Sequence, residues 1–237
     1  MEKEQYLGVS VSPLTYDEII QDVEQRIREG RQSTIIAVNP EKVITANRDP
    51  LVKDLINQST YQIPDGVGIL IASKLKGGNI QERVTGVDMM ERLLQFAAQE
   101  NHSVFLYGAK EGVVSEAKKK IEERFHGIHI AGYENGYVSD HEALIEKINA
   151  SGATLLFVAL GSPRQELWIQ EHMPHLNVKV FQGVGGSLDV FSGNVKRAPS
   201  LFRKLGLEWL YRLLKEPKRF KRQLALPSFL FKVIVKR

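Results

Sequence analysis

Continuous apolar runs, each followed by a polar or glycine-containing break and then a helical pattern, recur along the first 195 residues. Ile35 to Val38 and Leu155 to Leu160 are apolar at nearly every position, as expected of strands that are covered on both faces. The runs occur in the segments STIIAVNP, TYQIPDG, SVFLYGAKEG, ATLLFVALGSP and VKVFQGVGG. This pattern predicts a doubly wound α/β fold, in which a mainly parallel, Rossmann-like sheet carries helices on both faces.

Helix starts indicate where the predicted strands end. Asn39 precedes Pro40, a pair typical of an N-cap and a first helical residue, and Asp140 precedes the helical pattern HEALIEKINAS. Ligands of open α/β sheets bind outside the carboxyl ends of the strands. The segments expected at that edge are polar or rich in glycine, and they are Asn39, Asp65 and residues 108–112, 161–165 and 183–189.

The pattern changes after Gly193, where apolar residues at helical spacing are followed by clustered cations and the apolar segment LALPSFLFKVIV. Residues 196–237 contain 13 Lys and Arg against two Glu, a net charge of +11; because the whole chain carries +4, residues 1–195 carry −7. We therefore predict an α/β domain over 1–195 and a basic, amphipathic helical appendage over 196–237.

Two kinds of partner fit this basic appendage. Amphipathic basic segments bind anionic membrane surfaces, and the phosphates of nucleic acid attract the same cations. The apolar segment favours the membrane over nucleic acid, because a nucleic-acid-binding tail has little use for it. The same apolar stripe could also pair subunits into a homo-oligomer.

Composition excludes several kinds of chemistry. With 237 residues, 43% of them hydrophobic and 25% charged, the chain is expected to fold as an ordinary globular protein. It has no Cys, which excludes disulfides, zinc–thiolate sites and thiol nucleophiles. The segment MEKEQYLGVSVSP lacks a secretory signal pattern, and no run approaches the ~18 apolar residues of a membrane span. We therefore expect a cytoplasmic location.

A metal site is not expected from the sequence. No D-x-D, H-E-x-x-H or EF-hand pattern occurs, and the histidine pairs His126/His129 and His172/His175 lie in polar stretches typical of a surface. An enzyme that stabilises a diphosphate leaving group without a metal must use Arg, Lys and backbone dipoles. The appendage supplies such cations.

Asp65 follows a predicted strand in IPDG and precedes a helical pattern, which allows two interpretations. As a turn residue it would cap the next helix, whose N-terminus favours a negative charge. As a rigidly held carboxylate at the rim of a cleft it could accept a proton from a substrate hydroxyl. The Asp-Gly pair alone favours the cap, and a ligand site around it would favour the base.

Two glycine-containing loops are similar to phosphate-binding loops without matching one. The first loop, YGAKEG, contains Gly108 and Gly112, and the second, GVGGSLDV, contains Gly183, Gly185, Gly186 and Asp189. Glycines let backbone N–H groups approach an anion, but they also permit tight turns and close packing. The absence of G-x-G-x-x-G disfavours a dinucleotide oxidoreductase. Two such loops at one sheet edge favour a nucleotide or another diphosphate.

Polar residues at two further predicted helix starts remain ambiguous. Arg83 in QERVTG could bind a phosphate or a sugar hydroxyl, and so could Arg164 and Gln165, which open a predicted helix together with Glu166 in LGSPRQELW. Each could equally belong to a solvated first turn. Without other information the solvated turn is the favoured interpretation.

The segments VNPEKV, IPDGVGI, ERVTG, ALGSPRQELW, GVGGSLDVFSGNVKRAP and KLGLEWLYRLLKEPKR together resemble the WecG/TagA/CpsF glycosyltransferase family over nearly the whole chain. The resemblance implies an inverting transferase that needs no metal or cofactor. Its donor would be UDP-N-acetylmannosamine, and its acceptor the 4-hydroxyl of N-acetylglucosamine on undecaprenyl diphosphate. The β-1,4 product would serve teichoic-acid or related bacterial surface polysaccharide synthesis. A non-catalytic membrane-associated module that binds a nucleotide sugar or a lipid diphosphate is the alternative.

The resemblance also implies roles for single residues. Asp65 would be the general base. The residues that would bind substrate, including the loop positions above, are Asn39, Arg83, Gln165, Gly108, Gly183, Gly185, Gly186 and Asp189. The arginines that would reach the diphosphate, when the appendage folds over the site at the inner face of the membrane, are Arg212, Arg219 and Arg222. Many members have Thr two residues before the Asn, where this chain has Ala37.

Overall fold

The computed structural model describes residues 2–199, 202, 206, 208–215 and 225–235, and within these residues the strands form two sheets. An antiparallel hairpin consists of β1 Glu4–Tyr6 and β2 Val9–Val11. The main sheet consists of β3 Ser33–Val38, β4 Tyr61–Pro64, β5 Ser103–Gly108, β6 His129–Glu134, β7 Leu155–Ala159 and β8 Val180–Gly183. Its order is β4-β3-β8-β7-β5-β6, and every pairing is parallel.

Helices connect these strands, as the recurring pattern predicted. They are α1 Tyr16–Arg28, α2 Pro40–Ala46, α3 Pro50–Gln58, α4 Val67–Lys76, α5 Gly86–Gln99, α6 Glu111–Arg124, α7 His141–Ala150, α8 Arg164–His172, α9 Ser187–Phe191, α10 Glu208–Lys215 and α11 Ala225–Val235. Both predicted caps are confirmed. The Asn39 side chain accepts from the Lys42 backbone N–H at 2.8 Å, and Asp140 accepts from that of Ala143 at 3.0 Å.

Burial on both faces of the sheet explains the apolar runs. Side chains alternate across a strand, so neighbouring residues enter different cores. Ile35 packs in the core under α1, α5, α6 and α9, whereas Ile36 and Val38 pack in the core under α2, α4 and α11. A third cluster lies under α7 and α8. The α/β fold with a mainly parallel sheet, predicted from these runs, is confirmed.

The apolar segment near the C-terminus divides between the core and the surface. In α11, Phe229 and Val233 are buried, and the Phe229 ring lies 6.1 Å from that of Tyr6 in the hairpin. Phe231 and Ile234, on the other side of α11, are 68% and 57% exposed. Thus α11 completes a core of the α/β domain and also presents an apolar surface. None of the described helices has the length and apolar character that a membrane crossing requires.

His172 was expected at a polar surface, and the structure shows that this was wrong. It is buried at the end of α8, with its ring 4.9 Å from that of Trp168 and 5.2 Å from that of His141. Its Nε2 atom is buried without a hydrogen-bond partner in the described part of the chain. Burial lowers the pKa of His172 below the ordinary value of 6.5, and His141 and His175 act in the same direction, while Glu171 opposes them.

Because His172 is buried, we expect the protein to become less stable towards unfolding in mild acid. Below about pH 6.5 the unfolded chain binds a proton at His172, whereas the folded chain does not bind it until the pH reaches the lower folded pKa. The free energy of unfolding therefore falls as the pH decreases through this range. His172→Phe should keep the packing on Trp168 and make unfolding less pH-dependent between pH 7.5 and 5.5. Urea unfolding followed by fluorescence at several pH values measures the free energy of unfolding. The control is the substitution His126→Asn, at an exposed histidine. An unchanged pH dependence in His172→Phe would contradict the assignment.

Candidate active site

A cavity of about 400 Å³ opens at the carboxyl ends of β3, β4 and β8. Its volume lies in the range of small-molecule sites, and its position is the one expected for ligands of open parallel sheets. Ala37 also belongs to its wall. The predicted site residues that line it are Asn39, Asp65, Arg83, Gln165, Gly183, Gly185 and Gly186. Segments distant in the sequence thus meet around one space.

Asp65 does not cap the helix that follows it. Gly66 is the N-cap of α4, and among the described residues no side chain accepts a capping hydrogen bond there. The positive φ of Gly66, 102°, turns the chain directly after the Asp65 backbone N–H has bonded to the Val38 carbonyl at 2.8 Å. The Asp65 Oδ2 atom instead accepts from the Gly86 N–H, at 3.3 Å, where α5 begins. The Asp65 carboxylate therefore lies at the positive end of the α5 dipole.

The loop before α5 is held in place by Tyr16. The Tyr16 hydroxyl accepts from the Thr85 N–H at 2.7 Å and donates to the Arg83 carbonyl at 3.3 Å. Burial raises the pKa of Tyr16 to about 12, so the hydroxyl keeps its proton at neutral pH. On the cavity side the Arg83 guanidinium lies 3.9 Å from the Glu208 carboxylate of α10. The loop and α10 of the appendage therefore meet at the cavity wall.

The solvated-turn interpretation of α8 is wrong for Gln165 and Glu166, which are buried, whereas Arg164 is exposed. The Gln165 amide is engaged at both ends: its Oε1 accepts from the Gly185 N–H at 3.0 Å, and its Nε2 donates to Glu166 at 3.1 Å. Glu166 also binds Lys42 Nζ at 2.7 Å. Gln165 thus connects α8 to the second glycine loop.

Lys42, which lines the cavity, and its partner Glu166 are residues for which the sequence indicated no binding role. Lys42 lies three residues after Asn39, the N-cap of α2, and its backbone N–H donates to the Asn39 side chain. That spacing from a predicted site residue could have indicated Lys42. Glu166 had no comparable indicator, because its partner Lys42 lies 124 residues away in the sequence.

The predicted glycine positions have different roles in the structure. A Cβ atom at Gly183 would lie 2.6 Å from Gln165 Nε2, so glycine at 183 allows that side chain to approach the loop. Gly108 does not belong to the described cavity wall. A Cβ atom there would lie 2.5 Å from the Ala159 carbonyl oxygen, and its φ is 119°, so close packing of β5 against β7 accounts for this glycine. Asp189 also lies outside the described wall.

The appendage contributes to the cavity through the residues that the structure describes. Gly206, Glu208, Ala225 and Leu226 line it. The side chain of Arg212, and the whole of Arg219 and Arg222, lie outside the described residues. Within the described part of the chain, no cluster of three or more His, Asp or Glu side chains could hold a metal ion.

Comparison with known proteins identifies the family of this chain. Residues 4–237 match the model of the family described as "Glycosyl transferase WecG/TagA/CpsF family". Two Bacillus proteins named N-acetylglucosaminyldiphosphoundecaprenol N-acetyl-beta-D-mannosaminyltransferase are similar to the chain. The one from Bacillus spizizenii W23 is 41% identical over 87% of this chain and 80% of its own length. The one from Bacillus subtilis 168 is 40% identical over 85% of this chain and 79% of its own length. The chain therefore belongs to the WecG/TagA/CpsF family of glycosyl transferases.

Proposed function

We propose that this protein transfers N-acetylmannosamine from UDP-N-acetylmannosamine to the 4-hydroxyl of N-acetylglucosamine on undecaprenyl diphosphate. The names of the Bacillus relatives supply the acceptor and the transferred sugar. One structural observation carries the chemistry: the Asp65 carboxylate lines a cavity of suitable size at the carboxyl edge of the sheet and is bonded to the start of α5. The alternative interpretation of Asp65, as the cap of α4, is not what the structure shows.

In the proposed reaction Asp65 is the general base. It takes the proton of the acceptor 4-hydroxyl while that oxygen attacks C1 of the donor sugar. The bond between C1 and the diphosphate oxygen breaks, and UDP leaves with the electron pair. Such a single displacement inverts C1 and needs one base and a stabilised leaving group.

Stabilisation of the leaving UDP needs more cations than the described wall carries. The charged residues that line the cavity are Lys42 and Arg83 on the basic side and Glu41, Asp65 and Glu208 on the acidic side. An acidic majority opposes the binding of a diphosphate. We propose that the appendage arginines Arg212, Arg219 and Arg222 supply the missing charge without a metal. The contribution of Glu208, Ala225 and Leu226 to the wall supports a location of the appendage at the site.

A lipid-linked acceptor would be held in a membrane, which supports a membrane location for the proposed reaction. We propose that the protein attaches peripherally to the cytoplasmic face, through the basic residues of 196–237 and the exposed apolar side of α11. Phe231, Ile234 and Val235 on that side are each more than half exposed. Anionic lipids attract juxtamembrane cations by about 1 kcal/mol per basic residue.

The proposal is tested by UDP release from UDP-N-acetylmannosamine in EDTA, with and without a short-chain lipid-diphosphate N-acetylglucosamine acceptor. Release that depends on the acceptor is the expected result. Mass spectrometry of the product should show one added N-acetylhexosamine. If folded protein binds UDP-N-acetylmannosamine in the presence of the acceptor but releases no UDP, the proposed transfer is wrong and a binding module is favoured.

A further inference from the structure

A buried ion pair forms part of the cavity wall. Lys42 of α2 and Glu166 of α8 are bonded at 2.7 Å, and their side chains are 12% and 4% exposed. Lys42 lines the cavity, whereas Glu166 does not. The Glu166 carboxylate also accepts a hydrogen bond from the Gln165 side-chain amide. Through Gln165 the pair is connected to the Gly185 N–H of the second glycine loop. The ammonium is thus fixed by a network that joins three segments of the wall.

Stability alone does not account for this pair. Removing two charges from water costs several kcal/mol per ion, and the attraction offsets that cost only when the remaining polar atoms are also satisfied. Here the second Glu166 oxygen, Oε2, is buried without a hydrogen-bond partner among the described residues. An apolar pair of similar volume would serve the packing as well or better. The arrangement does, however, hold a cation at the cavity.

We infer that Lys42 is a substrate-contacting residue that binds the diphosphate of the donor nucleotide, and that Glu166 is a positioning residue for its ammonium. The inference rests on the proposed function. A lysine ammonium has three N–H donors, and the described bond to Glu166 uses one of them. Asp65 is anchored at α5, whereas Lys42 is connected to the glycine loop, so base and cation belong to different parts of the wall.

The deciding variant is the double substitution Lys42→Met with Glu166→Gln, which replaces both charges by neutral side chains of similar size. We expect its melting temperature to stay close to that of the wild type, because no charge is left buried and unpaired. We expect the KM for the donor and the inhibition constant for UDP to rise about 10- to 100-fold, as for the loss of one charge-assisted hydrogen bond. The KM for the acceptor should not change.

The matched control is Lys118→Met with Glu122→Gln. These residues form a 2.8 Å pair on α6, are partly exposed and do not line the cavity. Glu166→Gln alone keeps the ammonium and should raise the donor KM by less than the double variant. It also provides a test if the double variant does not fold: wild-type UDP inhibition in Glu166→Gln would then overturn the positioning role.

Two outcomes would overturn the assignment of Lys42. A stable double variant with a wild-type inhibition constant for UDP would mean that the pair only supports the fold. A raised acceptor KM with unchanged UDP inhibition would identify the lipid diphosphate as the ligand instead. Both outcomes presuppose acceptor-dependent UDP release by the wild type. Failure of that release would refute the proposed function and is therefore distinguishable from failure of this inference.

Discussion

Asp65→Asn should lower kcat for sugar transfer by about 10²- to 10⁴-fold, the usual contribution of a general base. The asparagine amide keeps an oxygen that can accept the Gly86 N–H, so the connection between β4 and α5 should persist. It cannot take a proton from the acceptor hydroxyl at neutral pH. The melting temperature and the KM for the donor should therefore stay close to the wild-type values, and the loss should appear in kcat.

Asp49→Asn is the matched control for this experiment. Asp49 caps α3 by accepting from the Leu51 N–H at 3.0 Å, and asparagine is an equally good N-cap. The control therefore removes the same charge without an expected effect on transfer. Acceptor-dependent UDP release measured across pH provides a second criterion, because the acid limb of the wild-type profile should change in Asp65→Asn. A kcat within twofold of the wild type would remove Asp65 from the base role.

Local patterns were sufficient to predict five of the six main-sheet strands, because these are apolar at most positions, and the Asn39 cap marks the end of β3. The hairpin and strand β6 escaped prediction for physical reasons. The hairpin strands β1 and β2 have three residues each, too few for a periodic pattern. Strand β6 lies at the sheet edge, mostly half-buried, and its register with β5 shifts after Val104.

The sequence predicted only those parts of the candidate site that lie at the ends of strands. Asn39, Asp65 and Gly183 to Gly186 lie at the carboxyl edge, and this topology brings them together. The burial of Glu166 could not be predicted, because its partner Lys42 is 124 residues away in the sequence. Long-range packing, not the local polar pattern of LGSPRQELW, determines that environment. The same limit applies to α11, whose apolar residues were interpreted as a lipid-binding patch although Phe229 and Val233 enter the core.

The burial of α11 determines how the appendage arginines should be tested. Deleting the chain after Gly193 would uncover the core around Phe229, and burying a side chain of this kind contributes about 1.5–3 kcal/mol. A truncated protein could lose activity simply by unfolding. Point substitutions avoid this problem, because they keep α11 in place. The informative variant is the full chain with Arg212, Arg219 and Arg222 each replaced by Gln.

This triple variant should lower kcat/KM for the donor by about 100-fold or more, because a single stabilising donor at a developing charge contributes 10²- to 10³-fold. Its control replaces Lys215, Lys218 and Lys221 by Gln, which removes the same charge from the same part of the appendage. Both variants should bind anionic vesicles more weakly, since each loses three basic residues. With a soluble short-chain acceptor, only the arginine variant should lose transfer. Equal losses in both variants would mean that the arginines act through membrane attraction and do not stabilise the leaving diphosphate.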